Sequence, residues 1–328
     1  MPRSHDFCTD AGALRVLNMT NPGTGKYEHV LERCRGIAPI PTSVAYPCDE
    51  SSLTGAMDAA RQGLIVPILV GPAATIASVS KAKGIDLGNA QIVDVPDSRA
   101  AAAKAVELVR SGQAELLMKG SLHSDEVLAA VIAKETGLRT GRRLSHAFLM
   151  DVPTYHKPLV VTDAAINIAP TLEDKVDICQ NAIDLCRTFG VDKPKVAILA
   201  AVETVNSRMS ATLDAAALCK MADRGQIKGG LLDGPLAFDN AISRDAAKTK
   251  GIASEVAGDP DILLAPDLEA GNMMAKMLSF LANADSAGLV LGARVPIILT
   301  SRADSVRSRI ASCAVAVLAA HARRQPPR

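Results

Sequence analysis

A short polar segment after a predicted strand has residue types that could bind an anion. The strand predicted at 116–118 is followed by an ammonium, an imidazole and two hydroxyls, from Lys119, His123, Ser121 and Ser124. Open α/β sheets bind ligands at the carboxyl ends of their strands, Gly120 permits close approach of the backbone, and a helix N-terminus offers free N–H groups. We expect this segment to bind phosphate; the alternative is that Ser121 or Ser124 only caps the next helix.

A second strand end is suited to a phosphoryl group. The strand predicted at 297–300 is followed by a hydroxyl, a guanidinium and a carboxylate, from Ser301, Arg302 and Asp304. Arginine can hold a phosphoryl group with two parallel hydrogen bonds, whereas lysine acts as a point charge. These three residues are therefore candidates for catalysis, with the alternative that Asp304 or Ser305 is the N-cap of the last helix.

A third strand end, after the strand predicted at 262–265, carries acidic and amide groups. Asp267, Glu269 and Asn272 surround Gly271 there. They are candidates for substrate binding, and the alternative is a turn that caps the following helix.

The remaining polar residues give weaker indications. The basic run 139–143 could contact the phosphates of a nucleotide-like cofactor or form a solvated loop. No metal-ligand spacing connects His146 with His123, and we expect no bound metal. The sequence lacks G-x-G-x-x-G after a strand, G-x-x-x-x-G-K-[ST] and G-x-S-x-G. These absences argue against a standard Rossmann dehydrogenase, a P-loop ATPase and a serine hydrolase.

The elements that must position these residues alternate along the chain. Helices are predicted at 56–62 and 73–83, and strands at 42–44, 65–70, 91–95, 116–118, 147–150, 159–162, 196–200, 230–232, 262–265 and 297–300. Because parallel strands need crossover helices of such length, this pattern predicts an α/β protein with a mostly parallel sheet in each domain. The 328 residues exceed one usual core. We predict a loose lead-in at 1–26, a first domain at 27–150 plus about 294–328, and a second domain at 151–293.

The composition excludes several classes of partner. A net charge of +1 and an aromatic content of 2% provide neither a basic field nor stacking platforms for nucleic acid. No apolar stretch reaches the roughly 18 residues of a membrane span, and residues 1–10 lack the apolar core of a signal peptide. Seven cysteines without a C-x-x-C pair indicate neither a disulfide framework nor zinc. We expect a cytoplasmic protein with reduced thiols.

Six strings, in order along the chain, resemble the phosphate acetyl/butyryl transferase family. They are LMKG (117–120), SHAFLM (145–150), TDAAIN (162–167), DGPLAFD (233–239), PDLEAGN (266–272) and SR (301–302). The resemblance covers residues 30–320. It implies two three-layer α/β/α domains with an active cleft between them, as in the isocitrate and isopropylmalate dehydrogenases, and a homodimer. It also adds Ser145 to the substrate-binding residues.

The resemblance implies roles for the residues after the last strand. In the acetyl branch, the serine that matches Ser301 stabilises the transition state and the arginine that matches Arg302 binds the acyl phosphate. A few residues later that branch has an aspartate proposed to deprotonate coenzyme A, and here Ser308 stands at about that place. Asp304 is the nearest carboxylate, and this departure is more similar to the butyryl branch.

We therefore expect reversible transfer of an acetyl or butyryl group between coenzyme A and inorganic phosphate, by direct attack in a ternary complex. Coenzyme A is a substrate, and no permanently bound cofactor is expected. Asp304 or His123 could be the base. Two alternatives remain open: a metal- and NAD(P)-dependent hydroxy-acid dehydrogenase, which would need the weakly patterned Asp239, Asp261 and Asp267, and a non-catalytic acyl-coenzyme A sensor.

Overall fold

The computed structural model describes residues 25–300 and 304–324, and within them it contains eleven strands and eleven helices. The strands are β1 (Ile40–Ala45), β2 (Ile65–Gly71), β3 (Gln91–Asp94), β4 (Leu116–Lys119), β5 (Ser145–Asp151), β6 (Leu159–Thr162), β7 (Lys195–Leu199), β8 (Leu231–Leu236), β9 (Ile262–Leu264), β10 (Asp285–Leu291) and β11 (Ile297–Ile298). The helices are α1 (Lys26–Arg33), α2 (Glu50–Arg61), α3 (Ala73–Lys83), α4 (Ser98–Arg110), α5 (Ser124–Ile132), α6 (Leu172–Thr188), α7 (Ser210–Asp223), α8 (Phe238–Ile242), α9 (Arg244–Thr249), α10 (Leu268–Leu281) and α11 (Val306–Arg323). The predicted α/β class is confirmed. Most of the predicted lead-in, 1–24, lies outside the described residues.

All eleven strands belong to one sheet, in the order β3-β2-β1-β4-β11-β10-β5-β6-β9-β7-β8. The five strands β3, β2, β1, β4 and β11 are parallel to one another, and so are the four strands β6, β9, β7 and β8. Antiparallel pairing of β10 with β11, of β10 with β5, and of β5 with β6 joins the two groups. The separate sheets expected for two domains are thus continuous through β10 and β5.

A single row of paired residues relates the two groups of strands. Met118, Ile298, Leu289, Ala147 and Thr162 face one another in turn from β4 to β6. The carboxyl ends of β4 and β6 therefore lie within one residue of the same row, although their strands run in opposite directions. Four strand spacings of about 4.8 Å separate them laterally by about 19 Å.

The two faces of the sheet are packed differently. On one face, which we call the continuous face, a single apolar cluster extends from Leu69 on β2 to Ile198 on β7, under helices that include α2, α6 and α11. On the other, which we call the split face, one cluster packs beside β4 and a second packs beside β6 and β9. Because strand side chains alternate between the two faces, the apolar core can be divided on the split face and continuous on the other.

Helix α11 lies at the centre of the continuous face. Its residues from Ser308 to Ala320 are buried except Ile310, and Ser312 Oγ accepts a hydrogen bond from Gly288 N on β10 at 3.1 Å. Small alanine side chains allow this close packing on the sheet. In the described part of the chain, no helix is both long and apolar enough to span a bilayer.

Several elements differ from the sequence prediction; β11, for instance, ends at Ile298, two residues before the predicted end. The pattern did not indicate β10, whose first residues, Asp285 to Gly288, lack the β-branched side chains typical of strands. Helix α2 begins at Glu50, six residues before the predicted start. Asp49 caps it by accepting a hydrogen bond from Ser52 N at 2.8 Å, a signal that the apolar pattern alone did not contain.

Candidate active site

The strand ends proposed to bind phosphate are neighbours in the sheet. Met118 of β4 pairs with Ile298 of β11 in parallel, so Lys119, the last residue of β4, and Thr300, two residues after β11, lie at the same edge of the sheet. Ser301 and Arg302 come next in the chain and lie outside the described residues.

Lys119 is a buried cation at this edge. Only 4% of its surface is exposed, and its Nζ lies 3.4 Å from Gly120 O. A buried ammonium at the carboxyl end of a strand is suited to binding an anionic ligand, because its charge acts there in a medium of low dielectric constant. The burial of Lys119 therefore favours its predicted role in binding an anion over that of a lysine exposed to solvent.

The residues after Lys119 join β4 to the end of β1. Gly120 N and Ser121 N donate to Ala45 O and Tyr46 O, each at 2.8 Å, and Ser121 Oγ donates to Tyr46 O at 2.9 Å. A Cβ on Gly120 would overlap both carbonyl oxygens. The close approach that requires this glycine is therefore to β1. Because these two N–H groups already bond to β1, they are not free for an anion.

The first turn of α5 is less suited to phosphate than the sequence indicated. His123, rather than Ser121 or Ser124, occupies the N-cap position, and its N–H donates to Glu126 Oε2 at 3.1 Å. Asp125 and Glu126 place two acidic residues in that turn, where they already complement the positive end of the helix dipole. His123 and Ser124 are both exposed.

The chain on either side of 301–303 is held by α11. Thr300 Oγ1 accepts a hydrogen bond from Arg309 Nη1 at 3.1 Å. Ser305, not Asp304, is the N-cap of α11, and its Oγ accepts a hydrogen bond from Ser308 N at 3.1 Å. Asp304 is close enough to α1 that its charge adds to the effect of burial, which is the main cause of the raised pKa of Tyr27. The carboxylate of Asp304 is thus not used as the helix cap.

Ser145, Asp267 and Asn272 form a separate group around the carboxyl end of β6. Asp267 is the N-cap of α10 and accepts from Ala270 N at 2.8 Å, as the capping alternative predicted. Asn272 Nδ2 donates to Ala164 O at 2.9 Å. Ser145 is fully buried, and its Oγ accepts from Asn181 Nδ2 at 2.9 Å. The structure therefore does not bring these three side chains to the Lys119 strand end.

Asp163 organises this second group, although the sequence analysis did not select it as a site residue. Its Oδ1 accepts from Ala165 N at 2.9 Å and Ile166 N at 3.1 Å, and its Oδ2 accepts from Asn167 Nδ2 at 2.5 Å. A Cβ on Gly271 would overlap Asp163 O, which explains that glycine in PDLEAGN. The position of Asp163 directly after a predicted strand was the signal that could have identified it.

His146 lies beside Asp163 in the interior. Its ring makes an edge contact with Phe148, with centroids 4.3 Å apart, and no hydrogen-bond partner of its Nδ1 is found within 25–300 and 304–324. Burial lowers the pKa of His146 to about 4, and the charge of Asp163 opposes that shift only in part. The imidazole is therefore neutral at pH 7.

Two arginines of the basic run 139–143 form hydrogen bonds within the protein. Arg142 Nη1 donates to Asp184 Oδ2 at 2.5 Å, and Arg143 Nε donates to Asn167 Oδ1 at 2.8 Å. Arg143 thus supports the Asp163 loop from its outer side.

The three aspartates of the dehydrogenase alternative lie in different local networks. Asp239 pairs with Lys250 at 3.3 Å, Asp261 pairs with Lys157 at 2.8 Å, and Asp267 caps α10. Within the described residues, no group of three or more His, Cys, Asp or Glu side chains could hold a metal ion. The three aspartates therefore do not form one cluster.

Comparison with solved structures identifies the class of protein. A branched-chain phosphotransacylase from Enterococcus faecalis superposes with a TM-score of 0.73 at 29% identity, over 86% of this chain and 99% of that chain. A 4-hydroxythreonine-4-phosphate dehydrogenase from Klebsiella pneumoniae gives a TM-score of 0.52 at 11% identity over 86% of this chain and 100% of that chain, which shows a shared fold only. The predicted likeness to dehydrogenases is thus distant.

Comparison of sequences identifies the family. The model of the family described as phosphate acetyl/butaryl transferase matches residues 98–317. A phosphate acetyltransferase of Rhizobium meliloti is 63% identical over 299 residues, covering 91% of this chain and 95% of that protein. A phosphate butyryltransferase of Clostridium acetobutylicum is 43% identical over 278 residues, covering 85% and 92%. The chain belongs to the phosphate acetyl/butyryl transferase family, which confirms the resemblance found in its sequence.

Proposed function

We propose that the protein is a phosphate acyltransferase that reversibly transfers an acetyl or butyryl group between coenzyme A and inorganic phosphate. Family membership carries this conclusion. The adjacency of the β4 and β11 ends supports it independently, because the strand that ends in the buried Lys119 pairs with the strand that precedes Ser301 and Arg302 in the sequence. Acetyl is the preferred group in this proposal, since the 63% identical relative is a phosphate acetyltransferase.

In the proposed complex, Lys119 and Arg302 bind the phosphoryl group of the acyl phosphate. The guanidinium supplies two parallel hydrogen bonds, and the buried ammonium supplies charge in a medium of low dielectric constant. Ser121 and Ser124 stay in the proposed phosphate subsite, with Ser121 acting mainly by fixing the loop to β1. Holding the acyl carbon next to the coenzyme A sulfur is a large part of the rate enhancement.

The proposed reaction is a direct displacement. The coenzyme A thiolate attacks the acyl carbonyl carbon, a carbon–sulfur bond forms, and the carbon–oxygen bond to phosphate breaks so that phosphate leaves with the electron pair. Ser301 donates a hydrogen bond to the tetrahedral oxyanion. The thiol proton passes to Asp304 or His123, or to solvent. A thiol pKa of about 8.5 makes only modest assistance necessary near neutral pH.

We propose that the substrates bind in a cleft on the split face, between the two predicted domains. The two apolar clusters stay separate there, with Val290 of β10 in one and Met150 of β5 in the other, and this division supports the position. In this arrangement Asp267, Asn272 and Ser145 belong to the wall opposite Lys119. Their hydrogen bonds around the Asp163 loop support a role in holding that wall against the substrate.

We further propose a homodimer built on α10. Met273, Met277, Phe280 and Leu281 are 58%, 59%, 77% and 79% exposed, and their spacing places them on one side of the helix. Such an apolar stripe on a surface indicates a protein interface. A second copy of this chain is the proposed occupant, as the family resemblance implies.

A cytoplasmic location is also proposed. The six cysteines within the described residues are free thiols, which suits a reducing compartment.

A thiol-release assay tests the proposed function. Purified protein is mixed with phosphate and either acetyl-CoA or butyryl-CoA, and free coenzyme A is followed with a thiol reagent. We expect phosphate-dependent release, faster with acetyl-CoA. Release with neither substrate, together with measurable binding of acyl-CoA, would indicate the sensor instead. Faster release with butyryl-CoA would reverse the assigned preference and leave the reaction class intact.

A further inference from the structure

Arg309 is a buried arginine next to the proposed catalytic segment. It lies in the first turns of α11 with only 4% of its surface exposed, and its Nη1 donates to Thr300 Oγ1 at 3.1 Å. Thr300 is itself buried and directly precedes Ser301 in the chain. The contact joins two residues nine positions apart, one just after β11 and the other in α11.

A glycine in the neighbouring helix makes room for this arginine. Gly55 lies inside α2, and a Cβ there would be 2.9 Å from Arg309 Cδ and 3.6 Å from Arg309 Cβ. Glycine in a helix interior costs roughly 1 kcal/mol relative to alanine. Its presence at this point of contact is explained by the space that the arginine side chain occupies.

The other end of the loop is also anchored. Ser305 caps α11, and Arg307 forms ion pairs with Glu28 of α1 at 2.9 Å and Asp285 of β10 at 3.0 Å. Thr300 and Ser305, which flank 301–303, are therefore both bonded to residues of α11.

We propose that Arg309 is a positioning residue for acyl transfer, seated by Gly55, which fixes Thr300 so that Ser301 and Arg302 meet the acyl phosphate. This inference rests on the proposed function. A planar guanidinium holds its hydrogen-bond direction more rigidly than a flexible ammonium does. Since a displacement of about 1 Å at a reacting centre can cost about a hundredfold in rate, such an anchor has a direct catalytic effect without touching the substrate.

The first test compares the same substitution at the two ends of α11. Arg309→Met removes the donors and keeps an unbranched side chain. Arg323→Met makes the identical change in the last turn, where Nη1 donates to Ala293 O and Arg294 O at 3.1 and 2.7 Å. We expect Arg309→Met to lose tenfold to a hundredfold in kcat/KM for acetyl phosphate while the thermal midpoint stays within a few degrees. Arg323→Met should keep its rate within twofold.

Substitutions of Thr300 test the hydrogen bond itself. Thr300→Ser retains the hydroxyl acceptor and should keep most of the activity, whereas the isosteric Thr300→Val should lose activity like Arg309→Met. Equal rates for the serine and valine variants would overturn the assigned contact.

A double-mutant cycle tests whether Arg309 acts through the catalytic segment. In an Arg302→Gln background, Arg309→Met should lower kcat/KM by clearly less than it does in the wild-type background, because one of the two groups that it positions is already missing. Full multiplication of the two losses would overturn the proposal, and so would an Arg309→Met enzyme within twofold of wild type. An inactive wild-type enzyme would instead refute the proposed function, so the two failures are distinguishable.

Gly55→Ala tests the seating of Arg309 with a residue that has a higher helix propensity than glycine. We expect a thermal midpoint within a few degrees of wild type, because the gain in helix propensity offsets part of the overlap with Arg309. We also expect at least a threefold loss in kcat/KM, and no further loss in the Arg309→Met background. A Gly55→Ala enzyme of wild-type rate would contradict the seating of Arg309 by Gly55.

Discussion

Replacing Gly120 by alanine tests how the candidate site is built. The new methyl group would overlap Ala45 O and Tyr46 O, which are backbone atoms of the neighbouring strand end and cannot rotate away. The end of β4 must therefore move from β1, and the hydrogen bonds from Gly120 N and Ser121 N, each 2.8 Å long, must lengthen or break. Lys119 moves with them, so both stability and activity should fall.

The expected size follows from these contacts. Overpacking costs about 1–3 kcal/mol, and two weakened hydrogen bonds cost about 1 kcal/mol each. The lower chain entropy of alanine in the unfolded state returns about 0.4–1 kcal/mol. We expect a net loss of about 2–4 kcal/mol in the free energy of unfolding, and a fall of about tenfold to a hundredfold in kcat/KM because Lys119 is displaced.

Urea unfolding and the thiol-release assay measure the two effects. Gly141→Ala is the matched control, because a Cβ there would have no atom within 4 Å, and its free energy of unfolding should change by less than about 0.5 kcal/mol. The reasoning would be refuted by a Gly120→Ala protein that unfolds at the urea concentration of wild type and retains its kcat/KM.

Three further results are expected. Arg302→Gln should lower kcat/KM for acyl phosphate about a hundredfold, which corresponds to a loss of about 3 kcal/mol in transition-state stabilisation, and a folded variant of normal rate would remove Arg302 from the site. Asp304→Asn should slow the direction that consumes free coenzyme A, with partial recovery at higher pH as more thiolate forms unaided; an unaltered pH profile would leave His123 or unassisted ionisation. Phe280→Glu should convert the dimer to a monomer in light scattering while Ile132→Glu, an exposed control on α5, does not, and a monomeric wild type would contradict the dimer.

The sequence predicted the features that depend on neighbouring residues. Apolar runs and Ala-rich periodic segments indicated most of the strands and two of the helices, because side-chain burial repeats with the period of each element. The polar residues after these strands were visible for the same reason, and six strings in order were sufficient to indicate the family. Strand β10 was missed, because Asp285 to Gly288 have little local strand preference and are placed by pairing with β5 and β11.

Tertiary pairing decided which predicted site residues meet. Lys119 and Thr300 are 181 positions apart in the numbering and become neighbours only because β4 pairs with β11. Ser145, Asp267 and Asn272 carry equally suggestive side chains, yet they gather around Asp163 at the end of β6. Strand order and register are set by contacts distant in sequence, so local patterns could not separate the two groups.

The same distinction applies to individual side chains. A cap at Asp304 and a cap at Ser305 were equally compatible with the sequence, and the backbone path into α11 selected Ser305. Arg309 has the sequence appearance of an ordinary helix residue. Its guanidinium is buried and bonded to Thr300 only because α11 packs against α2. The contact is at Gly55, more than 250 positions earlier in the chain. The sequence by itself therefore determined most of the strands, the strand-end chemistry and the family, whereas long-range packing decided which groups meet and how they are oriented.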